Sequence, residues 1–357
     1  MRRWIFLAVL ALASQVGWAQ VMFEYGGLLN EVGKPGIRIP NVPLDGTPTS
    51  APRQPVGDIA FICKGDIYTV TLDGKYIRRL TADGRNAFPL WSPDGRHIAF
   101  SKAGKAQSSV VWIGTSDGRF AKPLTSPQDF KAASPVTWLP DGKGLLVKVS
   151  WTGKDRPDNH WVVNLDRRGP HPLQAKWAKA GKNAGFHEDP FVPSPPATFS
   201  GSGESLMFLK NLQSDDPAHP MHSLYRMATN GSGIRRLDAS KVDDMLCLRW
   251  NPRAGKVLSA ECRPLDQDEV EYGIWLRDSE GKALGKLADT GPGCFNGMDW
   301  SPGGNLIIFQ KTDSAYPGSP QPEAFSNLSD HSSIWIMKAD GSGKYKYVDG
   351  ACHPNWR

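Results

Sequence analysis

The sequence has no second long apolar run, no block of Lys and Arg, no Cys-x-x-Cys pair and no His-x-x-x-His spacing. Each absence removes a class of function. Beyond the N-terminal run Trp4 to Ala13, nothing approaches the roughly 20 apolar residues that a membrane-spanning helix needs, so no membrane span is expected. Basic residues outnumber acidic ones by 42 to 36, but they do not gather among aromatics, so nucleic acid is not expected as a partner. The five cysteines (Cys63, Cys247, Cys262, Cys294 and Cys352) form no Cys-x-x-Cys, which disfavours a zinc site or a redox motif. With no His-x-x-x-His spacing, neither a metal ligand set nor a cofactor is expected.

The chain opens with Arg2 and Arg3, the apolar run, then Gly17-Trp18-Ala19 before Gln20. A charged start, a short apolar stretch and small residues at minus three and minus one read as a secretory signal peptide over residues 1–19, cleaved after Ala19. No Cys follows the run, so no lipid anchor is expected and the mature protein should reach the periplasm or be secreted. Cleavage removes two arginines, so the balance becomes 40 to 36, or +4. Residues 20–57 carry Pro35, Pro40, Pro43, Pro48, Pro52 and Pro55 and read as a Pro-rich, extended or disordered N-terminal arm.

From Asp58 one unit repeats: an apolar strand ending in Trp, a tight turn, two further strands, a Gly turn and a closing strand ending in Leu. The clearest copy is Trp91-Ser-Pro-Asp-Gly95-Arg-His-Ile98-Ala-Phe100, followed by Val110-Val-Trp-Ile113, Ser116-Asp-Gly118 and Lys122-Pro-Leu124. Pro93 presets φ within its turn and Gly95 accepts the positive φ that closes the hairpin. The anchors Trp91, Trp138, Phe199, Trp250, Trp300 and Trp356 recur with a period of about 50 residues, the size of a propeller blade. One anchor per repeat suits packing between neighbouring sheets better than ligand stacking. Six anchors and six closing strands predict an all-β, six-bladed β-propeller over 58–357. The first repeat lacks an anchor strand and the last residues supply one, so the C-terminal strand should complete blade one and close the ring.

Trp91-Ser-Pro-Asp-Gly-Arg-His-Ile-Ala-Phe100 and Ile334-Trp-Ile-Met-Lys-Ala-Asp-Gly341 resemble the WD-like repeat of the TolB propeller. The resemblance covers residues 58–357 and leaves out the α/β domain that precedes the propeller in TolB, for which this chain has only 20–57. It implies a periplasmic component of the Tol–Pal envelope system that binds partner proteins.

In such a repeat the first-to-second and third-to-fourth connections share one end of the sheet, and here these are short Gly turns. The extra length falls at the other end, in 150–159, 174–190, 210–222, 262–271 and 312–332, and that asymmetry predicts a binding face. These loops supply the binding-face candidates His160, His187, Glu188, Asp189, His219, His222 and His331, and His353 heads the closing strand. Histidines with carboxylates can ligate metal, whereas Asp, Asn, Ser and Pro are also what solvated loops are made of. Gly114-Thr-Ser116-Asp-Gly118 matches a nucleophile elbow in letters only, because it falls on a repeat's last turn and not on a strand–turn–helix. No catalytic residue is assigned.

The cysteines allow a bridge between Cys63, just past Phe61 on the second strand of blade one, and Cys352 on the closing strand. Cys247 and Cys262 flank a hairpin in a similar way, Cys294 is then the odd thiol or a partner for Cys262, and five free buried cysteines are the alternative. The function expected is a periplasmic binding scaffold, a monomer, recognising a protein or peptidoglycan-associated partner. The alternative is a metal-dependent lyase or hydrolase acting on an oligosaccharide in the funnel.

Overall fold

The computed structural model describes residues 57–104, 108–128, 130–150, 159–166, 171–172, 194–212, 221–229, 232–237, 244–264, 270–291, 297–313 and 328–357. The expected signal peptide and all of the arm before Gly57 lie outside these residues. Among the described residues every regular element is a strand, and no helix is long and apolar enough to cross a membrane.

In chain order the strands are β1 (Ile59–Cys63), β2 (Asp66–Val70), β3 (Ile77–Arg79), β4 (Asn86–Trp91), β5 (His97–Ala103), β6 (Ser109–Thr115), β7 (Ala121–Pro123) and β8 (Ala132–Trp138). Next come β9 (Gly144–Ser150), β10 (Asn159–Asn164), β11 (His171–Pro172), β12 (Ser194–Phe199), β13 (Ser205–Leu212), β14 (Met221–Ala228), β15 (Arg235–Arg236) and β16 (Asp244–Trp250). The last are β17 (Lys256–Pro264), β18 (Val270–Asp278), β19 (Ala283–Asp289), β20 (Met298–Trp300), β21 (Leu306–Thr312), β22 (Ser332–Lys338), β23 (Tyr345–Asp349) and β24 (Cys352–Trp356). All six expected anchors terminate a strand: β4, β8, β12, β16, β20 and β24.

Consecutive strands pair antiparallel, but the sheet count differs from the expected six. Four separate four-stranded sheets form: β24-β1-β2-β3, β12–β15, β16–β19 and β20–β23. The repeats β4–β7 and β8–β11 are joined in one eight-stranded sheet through a parallel bridge, Ser109 opposite Ala132. The cause is local. Ser109 Oγ donates to the Ala133 carbonyl (3.0 Å) and accepts from its N–H (3.1 Å), and Ser101 Oγ also donates to that carbonyl (3.1 Å). Together they draw the start of β8 alongside the start of β6.

The C-terminal strand lies on the first repeat, with Ile59 opposite Trp356 and Ala60 opposite Asn355. Trp356 packs there with Ile59, Phe61, Ile308, Ile334 and Ile336. Burying such a side chain is worth about 1.5–3 kcal/mol, which makes this strand a principal source of stability for its sheet. Phe on a second strand stacks on an aromatic of the third in three sheets: Phe61 on Tyr68, Phe100 on Trp112 and Phe208 on Tyr225.

A recurrent latch ties neighbouring first strands. The residue before an anchor accepts the backbone N–H of the next anchor: Thr198 Oγ1 from Trp250 (3.0 Å), Asp299 Oδ2 from Trp356 (3.0 Å) and Asn355 Oδ1 from Trp91 (2.6 Å). First-strand edges have no ladder partner on that side, and the latch satisfies donors that burial would otherwise leave unpaired. The described residues divide into two compact units, 136–291 on one side and 57–135 with 297–357 on the other.

Two groups of sequence expectations are corrected here. The two expected bridges do not form: no disulfide joins Cys63 to Cys352 or Cys247 to Cys262. Register is the reason, because Cys352 faces Ile62 while Cys63 faces Asp66, and Cys262 faces Asp244 while Cys247 faces Ala260. Two of the anticipated loops, 210–222 and 262–271, are also shorter than read. Strand pairing continues into them, with Asn211 opposite His222, Leu212 opposite Met221 and Pro264 opposite Val270.

Candidate functional site

The short-turn end of the sheets is fixed and chemically quiet. Gly95, Gly142, Gly203 and Gly304 in the first-to-second turns, and Gly74, Gly118, Gly281 and Gly341 in the third-to-fourth turns, each donate to the residue three before them. Ser116 sits in such a turn, aligned with the others, which disposes of a nucleophile elbow.

At the opposite end the first strands are irregular. In β4, Phe88 and Pro89 stand against the single residue Phe100, and in β24, His353 and Pro354 stand against Phe61. Each is a β-bulge, a device that re-aims a side chain next to a binding or active site. Phe88 and His353 occupy the same place in their repeats, three before the anchor, and both have positive φ (54° and 50°). A bulky residue held there carries strain, which concentrates at functional positions. The two rings meet edge to face with centroids 4.9 Å apart. At the equivalent place in the preceding repeat stands Gly297, where a Cβ would lie 2.8 Å from His353 Cα and 2.9 Å from Pro354 Cδ. Only a residue without a side chain lets the bulge of β24 pass.

Around this step lies a shell of buried polar groups. Gln310 Oε1 accepts the His353 N–H (3.1 Å), and its Nε2 donates to Ser332 Oγ (3.1 Å). Asn86 Nδ2 donates to Asp83 (2.5 Å), Thr81 (3.0 Å) and the Gly65 carbonyl (3.2 Å), while its buried Oδ1 has no partner. Asp66 accepts from Arg79 (2.6 Å), Thr81 (3.0 Å) and the Gly84 N–H (3.0 Å). Lys102 pairs with Asp83 (2.5 Å) and lies 4.7 Å from the Trp112 ring centroid. The charges here are matched pairwise, Asp66 with Arg79 and Asp83 with Lys102.

Titration follows from burial. The His353 imidazole is pushed down to about 4, because its charged form is desolvated, so it is neutral at physiological pH. Burial raises the Asp83 carboxyl, but hydrogen bonds from Lys102 and Asn86 outweigh it and hold the group below its ordinary value. Burial lifts the Cys63 thiol to about 11 and raises Cys352 well above its usual range, so neither supplies a thiolate nucleophile. Among the described residues no group of three His, Cys, Asp or Glu side chains could hold a metal ion. An aromatic step set in a charge-balanced polar wall can recognise a ligand by stacking and hydrogen bonding.

Of the sequence candidates, His353 is in β24 at this step. His331, on the turn into β22, lies in the same unit with Nδ1 3.8 Å from Asp313 Oδ2. His160 is in β10 opposite Lys148, and His222 is in β14 opposite Asn211, both in the other unit. His187, Glu188, Asp189 and His219 lie outside the described residues. Sequence reading missed Phe88, Asn86, Gln310 and Asp66. The recurrence of an X-Pro pair two to three residues before an anchor, Phe88-Pro89 and His353-Pro354, was the available signal.

No family model matches the chain. It is 27% identical over 169 residues to the uncharacterized peptidase YuxL of Bacillus subtilis, covering 40% of this chain and 24% of that protein. It is 47% identical over 45 residues to the Tol-Pal system protein TolB of Campylobacter jejuni, covering 13% of this chain and 11% of that one. The chain thus spans a quarter or less of these relatives. The crystal structure of TolB from Acinetobacter baumannii superposes with a TM-score of 0.59 at 16% identity, covering 84% of this chain and 66% of that one. The fold is an all-β propeller similar to that of TolB.

Proposed function

We propose that this protein is a periplasmic binding scaffold that recognises a protein or peptidoglycan-associated partner of the cell envelope, in a TolB-like role. The observation that carries the reading is the Phe88–His353 step in its charge-balanced shell, at the end of the sheets opposite the short turns. Strained aromatic side chains with charge-balanced polar neighbours form a preorganised recognition surface, and the two thiols beside them are held in their unreactive form. The likeness to TolB, a Tol-Pal system protein, supports a protein partner. In this reading residues 1–19 direct export and are cleaved, residues 20–57 are an arm, and 58–357 form a monomeric propeller closed by β24 on β1.

A second reading, a hydrolase or lyase acting in the funnel, draws on the likeness to the peptidase YuxL, of which this chain spans 24%. One experiment separates the two. Mature wild type and Phe88→Ser carry a photo-crosslinker beside the step and are used to capture material from the organism's own envelope. The scaffold reading expects a discrete envelope protein or peptidoglycan fragment bound by wild type and lost in the variant, with the melting temperature of both reported. Turnover of a peptide or uronic-acid oligosaccharide that disappears with Phe88→Ser would establish the second reading instead.

A further inference from the structure

Two turns at the short-turn end are built to one plan. Thr71-Leu-Asp73-Gly74-Lys75-Tyr76 and Thr115-Ser-Asp117-Gly118-Arg119-Phe120 share their spacing, and both glycines sit at φ 72°. In each, the Thr hydroxyl donates to the Asp carboxylate (2.7 and 2.6 Å) and the Asp accepts the N–H two residues on (3.1 and 3.2 Å). The Thr oxygen also accepts the N–H of the aromatic (3.2 Å in both). The β22–β23 turn is a longer version, in which Asp340 accepts the Ser342 N–H (2.8 Å) and Lys344-Tyr345 follow. Hydrogen bonding pulls Asp73 and Asp340 below the usual carboxylate range, and at Asp117 burial raises the carboxyl but the bonds from Thr115 and Arg119 outweigh it, so their charge is committed to the turn.

The product of each turn is an apolar ring at its tip preceded by a cation. Tyr76 is 47% exposed, Phe120 75% and Tyr345 48%. These tips belong to successive sheets of one unit, joined by Tyr347 Oη donating to the Thr71 carbonyl (2.7 Å) and Arg78 donating to the Asp117 carbonyl (2.9 Å). In the three outer segments, Lys75, Arg78, Arg119, Lys122, Lys338, Lys344 and Lys346 stand against Asp73, Asp117, Asp340 and Asp349, seven against four, or +3. Arg79 is left out because Asp66 neutralises it, and the adjoining Asp94 and Arg96 cancel.

The structure assigns to these three tips a peripheral attachment to an anionic phospholipid surface. Isolated rings on separate rigid turns offer no groove to seat a peptide, whereas three tips always define a plane that a bilayer can meet. Aromatic side chains favour the headgroup level, and flanking Lys and Arg are drawn to anionic lipid. The turns are ordered before contact, so little conformational freedom is lost on binding. This attachment uses the opposite end of the sheets from the Phe88–His353 step and leaves that step free.

The test is co-sedimentation of the full mature chain with vesicles of phosphatidylcholine and phosphatidylglycerol mixed two to one, and with pure phosphatidylcholine, at low and high salt. Wild type should bind the anionic vesicles at least tenfold more tightly than the neutral ones, and high salt should weaken that binding. The triple variant Tyr76→Ala, Phe120→Ala, Tyr345→Ala should lose at least tenfold, with its melting temperature kept because the rings are exposed. Charge replacement by Lys75→Gln, Arg119→Gln and Lys344→Gln should abolish the preference for anionic lipid. Phe88→Ser should bind vesicles like wild type, which separates this attachment from recognition at the step. Equal binding to both vesicles, unchanged binding by the triple variant, or tip-dependent binding to polyglutamate in place of vesicles would each overturn the assignment.

Discussion

Replacing Asn355 by Ala tests the latch between first strands and, through it, the placement of the site. Asn355 is buried, and its amide makes two short bonds: Oδ1 accepts the Trp91 N–H at 2.6 Å and Nδ2 donates to Asp299 Oδ2 at 2.6 Å. Truncation leaves the Trp91 N–H without its partner where water has little access, which costs about 1–3 kcal/mol. Asp299 keeps the Trp356 and Trp300 N–H groups, so the loss of its bond to Asn355 adds only about 1 kcal/mol. The sum, about 2–4 kcal/mol, should lower the melting temperature by roughly 4–8 °C for a chain of this size. Thermal unfolding followed by near-ultraviolet circular dichroism reads it directly. Pairing the change with Asp299→Ala in a double-mutant cycle should show a coupling of about 1–2 kcal/mol, because the two residues share a bond. His353 lies two residues before Asn355, so the variant should also weaken whatever the step binds. A melting temperature within about 1 °C of wild type, or strict additivity in the cycle, would refute the reasoning.

Two further outcomes are expected. The His353 imidazole titrates at about 4 in the folded chain against 6.5 when exposed, so between those values the unfolded chain binds more protons and stability falls as pH drops from about 6.5 to 4. The shift corresponds to on the order of 3 kcal/mol; urea titrations across that window should show the slope in wild type and a shallower one in His353→Asn, which tolerates the positive φ. Non-reducing peptide mapping of exported protein should recover Cys63 and Cys352 unlinked, and burial should make both slow to alkylate at pH 8. A Cys63–Cys352 linked peptide would contradict the register of β24 on β1.

Strand positions are written into the linear chain. Each anchor from Trp91 to Trp300 is followed by a turn whose Pro, Asp, Asn, Ser and Gly residues favour a few backbone conformations, and local chemistry of that kind is readable without the fold. The pairing of β24 with β1 was legible for a related reason, since one end of the chain lacked the strand that the other supplied. Packing in three dimensions decided what depends on register. A bulge in β24 set Cys352 against Ile62 and left no disulfide, and hydrogen bonds from Ser109 and Ser101 to Ala133 merged two repeats into one sheet. It also decided the site. Phe88 lies in the second repeat and His353 near the C-terminus, and they meet only because bulges at matching places turn both rings to one side. Asn86, Gln310 and Asp66 look in the sequence like ordinary polar interruptions of a strand. Side-chain direction on a β-strand reverses with a one-residue slip, and nothing in the linear pattern records where such a slip occurs.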